Sequence, residues 1–165
     1  MLEKTSEQND SNNLANNNLK LAENKKVFEA YLQAYENLTP ENIETELAPL
    51  LSKDIEFKDP FNHVHTSIEA LNIFKHMFST TFEPNFKIKH AQVSHNVGFA
   101  YWQFTFKTKQ QGKVNTISGT SLIEISQHAT IQKHIDFWDP AEHIYKHLPI
   151  VGTLIRFINK RLSAQ

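Results

Sequence analysis

In the first half of the chain the apolar residues recur at helical spacing. Val27, Phe28, Tyr31, Leu32, Tyr35 and Leu38 share one face of a helix that begins near Glu23. Thr39-Pro40-Glu41 then reads as a second helix start, with Thr as N-cap, Pro at the first position and an acid in the first turn. Ile43, Leu47, Leu50 and Leu51 supply its buried stripe. A short strand, Ile55-Glu56-Phe57, follows and ends in Asp59-Pro60. Thr66-Ser67-Ile68-Glu69 matches a capping box and opens a third helix to about Thr80. Ile68, Leu71, Phe74 and Phe78 line one face of this helix, and Ile73 and Met77 widen it.

The second half changes period from helical to alternating. Phe86 to His90 and Phe99 to Lys107 alternate apolar and polar residues, and Gln110-Gln111-Gly112-Lys113 reads as a hairpin turn. Val114 to Ser126 continues the meander, with Ile117, Gly119, Ser121, Ile123 and Ile125 on one face. His128-Ala129 turns the chain again. The last strand, Ile131 to Trp138, has faces Ile131, Lys133, Ile135, Phe137 and Gln132, His134, Asp136, Trp138. Asp139-Pro140-Ala141-Glu142 is another helix start. From Ile150 to Leu162 the apolar positions Val151, Leu154, Ile155, Ile158 and Leu162 form one helical face, with Arg156, Lys160 and Arg161 elsewhere.

This order of elements is α+β, with a curved, mostly antiparallel sheet covered by three N-terminal helices and followed by a C-terminal helix. It divides into a disordered or loosely helical polar tail over 1–22, a domain over 23–145 and an amphipathic helix over 146–165. The tail has no aromatic residue, and its burial cannot offset its ordering entropy. The 165 residues suit one core, and 12 Phe favour an enclosed apolar pocket or a thick sheet–helix layer. A net charge of −1 gives no field for nucleic acid. The absence of cysteine excludes thiolate chemistry and cysteine-based metal sites. The polar N-terminus has no secretory h-region and no apolar run is long enough to span a bilayer, so a cytoplasmic location is expected.

The aromatic first helix (Val27-Phe28-Glu29-Ala30-Tyr31), the strand ending in Asp59-Pro60 and the closing Asp136-Phe137-Trp138-Asp139 resemble the NTF2-like superfamily, in its SnoaL-like and ketosteroid isomerase-like branches. The resemblance covers roughly residues 24–145. It implies a cone, a bent sheet wrapped around helices to enclose an apolar pocket for a small molecule. It also implies cofactor-free acid–base chemistry of isomerase, cyclase or dehydratase type. Residue by residue, Tyr31 takes the place of an oxyanion donor and Asp59 that of a general base, while Asp136 is the nearest counterpart of the late acid–base Asp of SnoaL-like cyclases. The isomerase branch also has a second, protonated acid, and Ser121 stands near that position. The epoxide-hydrolase branch uses an Asp–Arg–Asp set, but the only arginines here, Arg156 and Arg161, lie beyond the sheet.

The candidate catalytic residues are therefore Asp59, Asp136 and Tyr31, and the candidate ligand contacts are His63, His134, Trp138, Phe61 and Phe74. Each also has a plainer role. Asp-Pro is a common turn start, Asp136 can brace a neighbouring strand or Tyr31, and Tyr31 can be a core aromatic. His63 and His65 have a metal-ligand spacing, but a proton relay at a pocket rim suits them better and no metal is expected. The Trp102, Phe104, Phe106 stripe reads as sheet core or dimer surface. The expected partners are a small apolar ligand and a second copy bound through the outer sheet face. For 150–162, docking on the domain or pairing with a second subunit ranks above a membrane surface. A non-catalytic ligand-binding or protein-interaction module on the same fold is the alternative function.

Overall fold

The computed structural model describes residues 3–164. Met1, Leu2 and Gln165, which fall in the expected terminal segments, lie outside them. The first helix, α1, spans Glu3–Glu36. From Glu3 onward the segment expected to be a disordered or loosely helical tail is therefore helix continuous with the aromatic stretch. Residues 16–23 bury little, so helix propagation, which adds one hydrogen bond per residue, accounts for their order better than packing does. Lys20 Nζ donates to the Gln127 carbonyl at 2.7 Å, and Asn24 Nδ2 donates to the His95 carbonyl at 3.0 Å. The buried face of α1 is Asn24, Phe28, Tyr31, Ala34 and Tyr35, at the spacing of a single helical stripe, and Leu38 joins the core just beyond the helix end.

The helix expected to start at Pro40 is replaced by one π-helical turn, Ile43–Leu47, and one 3-10 turn, Ala48–Leu50. Asn42 decides the start. Its Oδ1 accepts the Thr39 N–H at 2.7 Å and its Nδ2 donates to the Asn37 carbonyl at 2.8 Å, which locks 37–42 as a turn. Ile43 and Leu47 still reach the core.

Strand β1 spans Leu51–Lys58, longer than the three residues expected, and β2 is His63–Val64. Helix α2 spans Ser67–Thr80. Its N-cap is Thr66, whose hydroxyl accepts the Glu69 N–H and donates to the Glu69 carboxylate at 2.7 Å. Then come β3 (Phe82–Ser94), β4 (Val97–Lys107), β5 (Val114–Ile125) and β6 (Ile131–Phe137). A short helix, α3 (Pro140–His143), is capped by Asp139, whose Oδ1 accepts the Ala141 and Glu142 N–H groups. A single 3-10 turn, Tyr145–His147, precedes α4 (Pro149–Leu162).

The sheet order is β2-β1-β6-β5-β4-β3. Only β1 and β6 run parallel; the other pairs are antiparallel. The sheet curves without closing, and α1 and α2 fill its concave face. The main core joins Phe28, Tyr31 and Tyr35 of α1 and Phe74 of α2 to Ile55, Phe57, Ile123, Ile125 and Ile131 of the sheet. A second, smaller cluster of Trp102, Phe104 and Ile117 lies toward the open end of the cone.

One irregularity changes which residues face inward. Opposite β5, Glu124 pairs with Lys133 but Ile125 pairs with Ile131, so Gln132 is an extra residue. Such a bulge resets the alternation. Ile131 and His134, assigned to opposite faces by strict alternation, are consequently both buried on the inner face.

Candidate functional site

The inner face of β5 is apolar at Ile117, Ile123 and Ile125, but Ser121 interrupts it. In register opposite Ser121 is Asp136 of β6. Ser121 Oγ donates to Asp136 Oδ1 at 2.5 Å and accepts the Trp102 indole N–H at 2.8 Å. His134 lies two residues before Asp136 on the same face, and its Nε2 is 2.7 Å from the same Oδ1. Its Nδ1 is 2.8 Å from the Tyr31 hydroxyl. One proton arrangement satisfies all of these groups. The Tyr31 hydroxyl donates to Nδ1, Nε2–H donates to Asp136, and the Ser121 hydroxyl donates to Asp136 while accepting from Trp102. A continuous polar chain thus runs from α1 through β6 and β5 to β4 inside an apolar core.

Aromatic rings fix His134 in place. Its imidazole is stacked between Tyr35 and Phe57, at 5.3 and 5.1 Å between centroids, with Tyr31 edge-on at 5.7 Å. Burial pushes the Tyr31 phenol well above its ordinary value, with the Asp136 charge adding to the rise, and burial likewise raises Tyr35. Both phenols therefore stay protonated at neutral pH. Tyr31 has its partner in His134. The Tyr35 hydroxyl is buried with no hydrogen-bond partner among the described residues.

Asp136 is the end of the chain that meets open space. It lines a cavity of about 330 Å³ with Phe74, Phe86, Trp102, Phe104 and Trp138. Its Oδ1 carries both hydrogen bonds, and among the described residues no donor reaches Oδ2. Gly119 makes room for the wall: a Cβ there would sit 2.5 Å from Trp102 Cζ2. Phe61 meets Trp138 edge-on at 5.3 Å and flanks the mouth.

The candidates separate into three groups. Asp136, Asp59, Trp138, Phe61 and Phe74 do line one cavity. Asp59, however, is committed to its own turn. Its Oδ1 accepts the Phe61 and Asn62 N–H groups, each at 2.7 Å, and its Oδ2 accepts Asn62 Nδ2 at 2.9 Å. This is the turn-start role of Asp, and it leaves Asp59 poorly placed as a base. Tyr31 and His134 lie behind the cavity wall, in the second layer under Asp136, so Tyr31 does not face Asp59 across the mouth. His63 is on the outer face, with Nε2 3.1 Å from Glu56 Oε1; Lys133 and then His63 hold the Glu56 carboxyl below its ordinary range. It pairs with Glu56 because Glu56 alternates outward from buried Ile55 and Phe57. Arg156 donates to the Lys146 carbonyl at 3.0 Å and Arg161 lies over the Phe157 ring, so among the described residues no arginine hydrogen-bonds Asp136. Sequence reasoning missed three contributors: Ser121 as the brace of Asp136, Trp102 as both wall and donor, and Tyr35. A lone polar residue on the inner face of β5 was the available signal for Ser121.

No curated protein sequence matches the chain. Solved structures match its fold. An NTF2-like protein of unknown function from Burkholderia pseudomallei K96243 aligns with a TM-score of 0.63 at 13% identity, covering 74% of this chain and 95% of that one. An LEH-like epoxide hydrolase of M. tuberculosis gives 0.61 at 14% identity, covering 84% and 97%. A SnoaL-like polyketide cyclase, assigned as putative, from Shewanella putrefaciens CN-32 gives 0.58 at 13%, covering 70% and 79%. At these identities the likeness establishes the fold alone. The family model of the SnoaL-like domain matches residues 28–134, more than half of the chain. With the curved six-stranded sheet, the two inner helices and this match, the chain belongs to the SnoaL-like domain family of the NTF2-like superfamily.

Proposed function

We propose that the chain binds a small apolar molecule in the cavity and acts on it by cofactor-free acid–base chemistry, with Asp136 as the proton-transferring group. The observation that carries this reading is the state of Asp136. One carboxylate oxygen is held by His134 and Ser121, and the other is left to an apolar cavity. A carboxylate fixed in this way abstracts a proton from a carbon next to a carbonyl without reorienting first. The volume suits a compact ring system, at the small end of ligand cavities. Isomerase-, cyclase- and dehydratase-type reactions all need such a step. Exposed Phe99, Tyr101 and Phe137 on the outer face support a homodimer through that face.

Both tryptophans of the chain line the cavity, so intrinsic fluorescence reports on its occupancy. Titration with small cyclic ketones is expected to give a saturable change. Bound ketones in deuterium oxide are then expected to exchange their α-hydrogens, followed by NMR. Asp136→Asn keeps an oxygen for Ser121 and His134, so it should leave the melting temperature nearly unchanged while slowing exchange roughly 10²–10⁴-fold. Exchange that is equally fast in the Asn variant would remove Asp136 from the chemistry.

A non-catalytic binder is the second reading. It is favoured by Tyr31, whose hydroxyl is spent on His134 and does not offer the cavity an oxyanion donor. Saturable binding without exchange above background in either protein would establish it.

A further inference from the structure

Helix α4 lies beyond the family-matched residues, and it is turned the opposite way from a docked amphipathic helix. Its main contact is the single 3-10 turn before it. The side that meets this turn is the polar one. Gly152 is buried there, packed so close to the Lys146 carbonyl that a Cβ would collide with it, and Arg156 Nη1 donates to the same carbonyl at 3.0 Å. The apolar side therefore faces away from the domain. Ile150 is 85% exposed, Leu154 59%, Phe157 58% and Leu162 79%. Docking on its own domain, the first of the three options for this segment, does not occur.

We infer that this face lies on an anionic lipid surface. Charge is the first reason. The helix carries Arg156, Lys160 and Arg161 and no acid, on a chain whose net charge is −1. Two copies paired along α4 would bring like charges together, whereas acidic headgroups complement them. The second reason is the position of Arg161. By helical spacing it falls within the apolar arc, beside Leu154, Phe157 and Ile158, and its guanidinium lies 5.6 Å from the Phe157 ring centroid. In a helix–helix seam that charge would be buried. In the last turn of a helix lying on a bilayer, it extends to the headgroups while its stem stays among the acyl chains. The third is length. Fourteen residues extend about 21 Å, short of a hydrocarbon core of about 30 Å, so the helix lies on the surface and does not cross. Among the described residues no helix is long and apolar enough to cross.

The test is co-sedimentation of the full chain with extruded vesicles. Binding is expected to be stronger to phosphatidylglycerol–phosphatidylcholine vesicles than to pure phosphatidylcholine by roughly twenty-five-fold, about a factor of five for each of Lys160 and Arg161, because Arg156 is held at the Lys146 carbonyl, and to weaken in high salt. The double variant L154E/F157E changes only exposed positions. It should keep the melting temperature and lose at least tenfold in binding. K160E, which leaves the apolar face intact, should lose a smaller part. Absence of wild-type binding to anionic vesicles would overturn the inference, as would undiminished binding by L154E/F157E. Light scattering gives a further arm: an oligomer that dissociates in L154E/F157E would mean that a second copy covers the face, which also overturns it.

Discussion

Tyr31 and Tyr35 sit one helical turn apart in the same core, yet their hydroxyls are in opposite situations. The first donates to His134, while the second is buried without a partner among the described residues. Removing an unpaired buried hydroxyl relieves a desolvation cost, whereas removing one member of a buried pair strands the other. Tyr35→Phe is therefore expected to be neutral or to stabilise by up to about 1 kcal/mol, and Tyr31→Phe to destabilise by about 1–3 kcal/mol, read from urea unfolding. The reverse order would mean that the network does not run through Tyr31. Sequence patterning placed Tyr31 on the apolar face of the first helix and His134 and Asp136 together on one face of the last strand, and it offered Tyr31 as a possible partner of Asp136. It could not say that His134 stands between the two, because periodicity assigns a face and leaves the partner open. Asp59 shows the opposite limit: its backbone acceptor role was legible as a turn, and the turn reading is the one that accounts for both its oxygens.

Elements were legible where one signal dominated. The capping box at Thr66 and the alternation of β4 and β5 needed no tertiary help. The start at Thr39-Pro40 was lost to Asn42 three residues later, whose side chain bonds back to Thr39 and Asn37 and holds the segment as a turn, a partnership that only the folded chain reveals. The bulge at Gln132 was not legible, since one extra residue leaves no mark on composition, yet it sets Ile131 and His134 on one face. Strand β5 carries a second local device in Gly119, which clears space for the Trp102 indole. Gly119→Ala should push the indole away from Ser121 and overfill the cavity, at a cost of about 1–3 kcal/mol, with a shifted tryptophan emission. An unchanged emission and melting temperature would show that the wall yields elsewhere.

At the scale of the whole molecule, the polar chain from α1 to β4 ties the inner helix to the sheet, and burial keeps its phenol protonated into the alkaline range. Burial raises both Tyr31 and Tyr35 above the ordinary phenol value of about 10. Below about pH 10 both states are protonated, and these groups add no pH dependence. Above it the unfolded chain gives up the two protons and the folded chain keeps them. The unfolded state then binds fewer protons, so stability falls as pH rises, by up to about 1.4 kcal/mol per pH unit for each phenol. The stabilisation is thus fully present at neutral pH and is lost from about pH 10 toward the raised folded values. Lysine titration contributes to alkaline unfolding as well, and the comparison must cancel it. The double variant Y31F/Y35F does so, because it keeps every lysine. Urea midpoints at pH 8 and pH 11 should differ far less for the variant than for the wild type. An equal fall in both proteins would place the alkaline sensitivity outside this core and separate the fold's stability from the network that holds Asp136.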